Sequence, residues 1–197
     1  MHPNRLFHIG EPAAMAAMVR DLGFGTLVAP TPDGLRAVHV PVLIDGDRLR
    51  FHVSRSNHLH AALVGGVEAL FVATGPSAYI SPDWYGLADK VPTTNYVAVE
   101  LNGPVRPLDR EGLVALLDGL SAAGEGRLAP KRPWTRAKMT DGVFEKMLNA
   151  ITGFEMTIRD WRGTAKLGQD KPAAARAGAA DALAALGDLR MAEAMRR

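Results

Sequence analysis

The sequence predicts a mainly β protein, an antiparallel barrel with helices inserted between and after its strands. Three observations carry that expectation. Strand-like runs follow one another across short turns early in the chain, no regular β-α-β alternation appears, and no G-x-G-x-x-G or G-x-x-x-x-G-K-[ST] loop opens a helix. The same facts disfavour a doubly wound nucleotide-binding sheet.

Glu11 to Leu22 reads as an amphipathic helix, because Met15, Met18, Val19 and Leu22 recur at i, i+3, i+4 and i+7, and Gly23 ends it. Phe24 to Ala29, Leu35 to Ile44 and Leu49 to Ser54 follow as a β-meander, joined by Pro32-Asp33-Gly34 and Asp45-Gly46-Asp47. A short helix from Asn57 to Val64 leads through Gly65-Gly66 to a strand from Ala69 to Thr74. Gly75 to Pro92 reads as a long loop, a length that is usually functional inside a domain. Tyr96 to Val105 resumes strand alternation, and Asp109 caps a helix carrying Leu113, Leu116, Leu117 and Leu120. A loop from Arg127 to Lys138, a short helix from Val143 to Ile151 and a last strand from Phe154 to Trp161 come next. From Pro172 the chain is alanine-rich, with Leu183, Leu186, Met191 and Met195 at roughly helical spacing, and reads as a C-terminal helix. The expected domains are 1–171 and a helical extension over 172–197.

At 197 residues, 47% hydrophobic and 22% charged, the composition is that of an ordinary globular chain. Cysteine is absent, which removes disulfides, thiolate zinc sites and cysteine nucleophiles. No apolar run approaches the roughly 20 residues needed to span a bilayer. The start, MHPNRLFHIG, lacks the apolar segment of a secretory signal, so a cytoplasmic location and no membrane contact are expected. A net charge of +2 does not mark a nucleic-acid binder.

Four groups of residues carry candidate chemistry. On the second strand Val38, Val40, Val42 and Ile44 alternate with His39 and Pro41, so His39 either lines a ligand site or sits outward near a strand edge. Ser54-Arg55-Ser56-Asn57 combines a guanidinium, two hydroxyls and an amide where a helix begins, which suits phosphate and also suits plain helix capping. The run from Gly75 to Tyr85 holds Tyr79, Ser81, Trp84 and Tyr85, able to stack on a flat heterocycle or to staple the loop. Arg127, Lys131, Arg132, Arg136 and Lys138 surround Trp134 without an acid, and read as a solvated basic loop. His52, His58 and His60 lack the spacing of a metal site, and none is expected.

With these residues laid out, the chain resembles the PaiB family, FMN-binding negative transcriptional regulators of the split-barrel superfamily that also holds pyridoxamine-phosphate oxidase and small flavin reductases. The resemblance runs from about Arg5 to Lys171. It rests on Phe24-Gly25-Thr26-Leu27-Val28, His39-Val40-Pro41, His52-Val53-Ser54-Arg55-Ser56-Asn57, the G-P-x-A-Y-I-S-x-x-W-Y run at Gly75 to Tyr85, and the V-P-T-x-N-Y run at Val91 to Tyr96. Ile151-Thr152-Gly153-Phe154 and Lys166-Leu167-Gly168-Gln169-Asp170-Lys171 complete it.

The resemblance implies a six-stranded antiparallel split barrel, a homodimer, and FMN in a cleft at the subunit interface. It puts the flavin near His39, Val40, Pro41 and Val42, and its phosphate near Ser54, Arg55, Ser56 and Asn57. Tyr79, Ser81, Trp84, Tyr85, Thr93, Asn95 and Tyr96 fall near the ring or interface, with Lys166 and Gln169 as a second anion contact. Three positions depart from the family pattern: Thr94 stands where Trp is usual, and Gly168 and Asp170 replace the Ser and Asn of K-[LV]-S-Q-N. The implied function is FMN-binding negative regulation, and the alternative is an FMN-dependent oxidoreductase of the pyridoxamine-phosphate-oxidase-like or flavin-reductase-like type. No helix-turn-helix is recognisable, so direct DNA contact has no motif behind it and regulation through a partner is the companion expectation.

Overall fold

Hydrophobic alternation places the strands, and the computed structural model, which describes residues 2–197, contains eight of them. They are β1 (His8–Ile9), β2 (Phe24–Thr31), β3 (Gly34–Asp45), β4 (Arg48–Ser54), β5 (Val67–Ile80), β6 (Thr93–Pro107), β7 (Ile151–Thr157) and β8 (Asp160–Lys166). The helices are α1 (Pro12–Leu22), α2 (His60–Val64), α3 (Arg110–Gly126), α4 (Val143–Leu148), α5 (Ala173–Ala185) and α6 (Leu189–Arg196). Strand order is β1-β8-β6-β5-β2-β3-β4-β7, and a further β6–β7 pairing makes the order return on itself through β2–β7. Six strands thus form the ring that the sequence led one to expect, and β8 and β1 extend from it as two strands beyond that number.

Packing divides the chain into two units, one over Met1–Met15, Ala73–Glu100 and Arg162–Arg197, the other over Ala16–Val72 and Leu101–Trp161. In the second unit the alternation of β3 and β4 sends Val40, Val42, Ile44, Leu49, Phe51 and Val53 into the core. Phe51 stacks on Phe154 of β7 with ring centroids 5.8 Å apart. β3 pairs with β2 from Gly34 to Pro41 and with β4 from Val42 to Asp45. Pro41, which has no N–H to donate, sits where the strand changes partner. Close approach sets one residue type outright: a Cβ at Gly103 of β6 would lie 1.9 Å from the Thr157 carbonyl oxygen.

The first unit has its own apolar cluster, built from Ile80, Tyr85, Ala175, Ala179, Ala180, Leu183, Met191 and Met195. The small residues of α5 admit close neighbours, and a Cβ at Gly178 would lie 2.9 Å from the Trp84 carbonyl oxygen.

Several boundaries differ from the sequence reading. β5 continues through Gly75 to Ile80, so the loop begins only after Ile80, because strand pairing overrides the weak β preference of Gly75 and Pro76. The run from Phe154 to Trp161 is two strands, and its bend is held by Ile158 N donating to Asp47 O and Arg159 N to Asn102 O, each at 2.8 Å. The C-terminal helix breaks at Gly187 (φ +86°), and Asp188 caps α6 by accepting from Met191 N at 3.1 Å. Asp109 caps α3 as expected, accepting from Gly112 N at 2.7 Å. No helix among the described residues is long and apolar enough to cross a membrane.

Glu155 on β7 is a buried carboxylate, and three guanidinium groups reach it. Arg48 and Arg50 of β4 lie at 3.2 and 2.9 Å, and Arg106 of β6 at 3.0 Å. Burial alone would raise the pKa of this carboxyl, but the hydrogen bonds from Arg50 and Arg106 and the charges of Arg50 and Arg48 outweigh it, leaving the value below the ordinary 4.5. A carboxyl whose pKa is depressed by folding contributes stability above its unfolded pKa and loses it as pH falls through the folded one. Glu155→Gln is expected to cost about 1–2 kcal/mol at pH 7, since it removes the charge that three guanidinium groups share, while these groups stay partly or largely in solvent, which screens the loss. It should also flatten the acid limb of the stability curve below about pH 4.5, measured by urea unfolding across pH.

Candidate functional site

The predicted site residues fall into two groups, one in each unit. In the second unit, β2 and β3 present an outward face of cross-strand pairs: Phe24 with Pro41, Thr26 with His39, Val28 with Ala37, Pro30 with Leu35. Phe24 and Leu35 are 54% and 69% exposed, so apolar side chains stand open on a regular sheet face. His39 is exposed on this face, and its Nδ1 shares a 2.9 Å hydrogen bond with the Thr26 hydroxyl. Val40 and Val42 point the other way into the core, so only their backbone remains for a ligand.

Ser54 to Asn57 form a tight turn rather than the first turn of a helix, which begins three residues later at His60. The polar side chains account for the difference, since they bond locally in place of the helical ladder. Asn57 N donates to Ser54 O at 3.0 Å, and the Asn57 side-chain oxygen accepts from Leu59 N at 2.9 Å. The Ser54 and Ser56 hydroxyls are 2.9 Å apart, and both are exposed. Arg55 N is held by Ala150 O at 2.9 Å, while its exposed guanidinium has no hydrogen bond or ion pair among the described residues. Asn57 therefore caps the turn, and Arg55 with the two hydroxyls forms the anion-ready part.

In the first unit, a 3-10 turn over Pro82–Tyr85 carries the aromatics. Tyr85 is buried in the α5–α6 cluster and Trp84 is half-buried against it, so both staple the turn to these helices. Tyr79 at the end of β5 is exposed, and Ser81 and Tyr96 are half-buried. A cleft of about 250 Å³ is lined by Tyr85, Thr93, Asn95, Lys166, Gly168 and Lys171, among others. Asn95 is 1% exposed, its amide donates only weakly to Met195 Sδ at 3.6 Å, and its side-chain oxygen has no partner. Burial pushes the Tyr85 phenol above its ordinary value, against the lowering effects of the Asn95 amide and the Lys171 charge.

Lys166 donates to the Thr93 hydroxyl and, at 3.2 Å, to the Thr94 carbonyl. Gln169 is engaged at both ends, accepting from Leu167 N at 2.7 Å and donating to Ala165 O at 2.5 Å. It thereby closes the turn in which Gly168 adopts φ +82°, a conformation that favours glycine over the family's Ser. Lys171, 5.9 Å above the Tyr85 ring, belongs to the cleft although sequence reasoning did not select it. Its signal was present in the same K-L-G-Q-D-K run, but nothing in that spacing says which of the two lysines faces Tyr85.

The strand ring defines a split-barrel protein, and its Ser54–Ser56 turn carries an exposed guanidinium beside two hydroxyls. Comparison with known proteins agrees: residues 1–160 match the family described as "Putative FMN-binding domain", and the chain belongs to that family. FMN is the cofactor of this family, and the donor set of the Ser54–Ser56 turn fits its phosphate. The chain is also similar to the protease synthase and sporulation protein PAI 2 of Bacillus subtilis (strain 168), at 26% identity over 175 residues, 87% of this chain and 83% of that one. The resemblance to the PaiB family therefore holds. Among solved structures, it is similar to the FAD and heme binding protein of Mycobacterium smegmatis, with TM-score 0.61 and 18% identity over 82% of this chain and 74% of that one. A conserved hypothetical protein of Mycobacterium tuberculosis gives TM-score 0.63 and 15% identity over 87% and 94% of the two chains. At these identities the two structures establish the shared fold.

Because the Gly168 backbone is left-handed, Gly168→Ser is expected to destabilise by about 1–2 kcal/mol even though its Cβ would meet only ordinary contacts. A lowered urea midpoint with an unchanged slope is the expected reading.

Proposed function

We propose that the chain is a homodimeric FMN-binding protein acting as a negative transcriptional regulator. The observation that carries the flavin assignment is the Arg55 guanidinium, unpaired and exposed between two hydroxyls on a turn whose backbone is otherwise satisfied. Such a fork makes charge-assisted hydrogen bonds to a phosphate monoester, stronger than neutral ones. The outward backbone of His39 to Val42 then faces the flavin, with Thr26 fixing the His39 ring. FMN supplies a redox-active ring system when bound, and the residues of this chain bind and orient it.

The open apolar face of β2 and β3 supports dimerisation, because exposed pairs such as Pro30 with Leu35 lose unfavourable hydration when a second copy covers them. We assign Tyr79, Ser81, Thr93 and Tyr96 to the flavin-facing side of that interface, with Tyr85 and Asn95 lining the cleft behind it and Trp84 holding the turn that carries Tyr85. Lys166 is the second cation, with Gln169 holding its loop. The barrel domain over 1–171 carries the ligand, and the extension over 172–197 backs the aromatic turn through Ala179 and Leu183. Similarity to the PaiB family supports the regulatory half, and a partner protein is the route to DNA.

Arg55→Ala is expected to weaken FMN binding about tenfold to hundredfold, equivalent to a charged hydrogen bond of about 1.5–3 kcal/mol, read by quenching of flavin fluorescence. Equal affinity in the variant would remove Arg55 from the phosphate site. For the regulatory half, a strain lacking the gene should show raised levels of at least one transcript that complementation restores. Unchanged transcripts would overturn that half and leave the flavin assignment standing.

A further inference from the structure

His52 lies on β4 between Phe51 and Val53, whose side chains enter the core, so His52 faces the opposite side of the sheet. Its β7 neighbour is Gly153, which adds no side chain and lets Leu113 of α3 sit close. Beyond this gap a cavity of about 450 Å³ opens, walled by Trp134, Phe144, Met139, Met147 and Ile151. That volume lies in the range of small-molecule sites. Trp134 and Arg136 come from the basic loop that the sequence suggested was only solvated. The loop is anchored instead by Glu125, which accepts from Trp134 N at 2.8 Å and pairs with Lys131.

Two features of the cavity point to the kind of ligand it takes. The first is a polar atom without a partner, since His52 Nδ1 is buried and makes no hydrogen bond. An orphaned buried ring nitrogen is unfavourable, and nothing among the described residues offsets it. The second is charge. Arg136 is paired with Asp118 at 3.2 Å and lies 5.2 Å over the Phe144 ring, so the charged groups at the wall cancel. Burial also holds the His52 imidazole below its ordinary pKa, which keeps it neutral near pH 7 and able to donate or accept according to its tautomer.

We propose that this cavity binds an uncharged planar molecule of one or two fused aromatic rings, with a ring nitrogen hydrogen-bonded to His52 Nδ1. Trp134 and Phe144 supply aromatic contact, and the two methionines adapt to its outline. The site is independent of the Arg55 turn, which selects an anion.

Benzimidazole, which carries one N–H and one acceptor nitrogen, is the probe, titrated calorimetrically into the full-length protein at pH 8. Saturable binding at one site per chain is expected. His52→Leu should weaken it at least about tenfold, the scale of one buried hydrogen bond left unmade. Ser121→Trp, which fills the cavity from α3, should abolish it. Both variants should keep the wild-type circular dichroism and FMN affinity, which separates loss of the cavity from loss of the fold or of the flavin site. No saturation by the wild type, or unchanged affinity in both variants, overturns the proposal. Stoichiometric competition between FMN and benzimidazole would overturn it as well, by making the cavity part of the flavin site, and would leave the flavin assignment intact.

Discussion

Glu155 is the interaction on which the ring of strands depends. One carboxylate, buried on β7, receives Arg48 and Arg50 from β4 and Arg106 from β6, so a single acid ties three strands at the point where β6 pairs with β7 and the ring closes. β7 is paired antiparallel on both sides, over seven residues with β4 but over only three with β6, so the β6 side is the shorter seam of the ring. Directional charge-assisted bonds from both flanking strands specify which strand closes the ring and in what register. Such a network adds less to stability than its bonds suggest, because the carboxylate gives up its hydration and the three guanidinium groups, still partly in solvent, are screened. Its effect lies in specificity, and the functional residues of β4 inherit their positions from it.

Strand alternation then divides the chemistry. On β3 and β4 the residues at even spacing from Val40 and Phe51 fill the core, and those between them face outward. His39, His52 and Ser54 are all outward residues by this rule. They differ in what covers them: His39 lies on an open face, His52 beneath α3 and α4, and Ser54 at the strand's exposed end.

Much of this was legible in the sequence. The V-x-V-x-V-x-I pattern of β3 set its faces and Asp109 announced α3, whereas Ser54-Arg55-Ser56-Asn57 read as the opening of a helix and forms a turn before it. What was not legible depends on contacts between residues distant in sequence. Glu155 sits in a strand among Phe154 and Met156, and no local pattern says that Arg48, Arg50 and Arg106 converge on it. Gly75 and Pro76 argued for a loop, yet pairing carried β5 through them to Ile80. The role of Glu125 in anchoring Trp134 needed the fold, because the two residues lie at opposite ends of an irregular connection. Asn95 looked like a motif residue, but only the structure isolates its side-chain oxygen beside Tyr85.

The neighbourhood of β4 also explains how one strand can serve two ligand chemistries. His52 and Ser54 are two residues apart and face the same side, yet one is closed over by helices and the other opens into a solvated turn. Desolvation keeps the first neutral and penalises any net charge brought beside it. Solvent at the second lets Arg55 hold its charge without a protein counter-ion, which a buried position would not permit. In the proposed arrangement a charged ligand is therefore turned away from the cavity and drawn to the turn, while an uncharged ring gains from the aromatic wall and little from the guanidinium. The step from covered strand to open turn takes two residues, and it is enough to separate the two sites by charge.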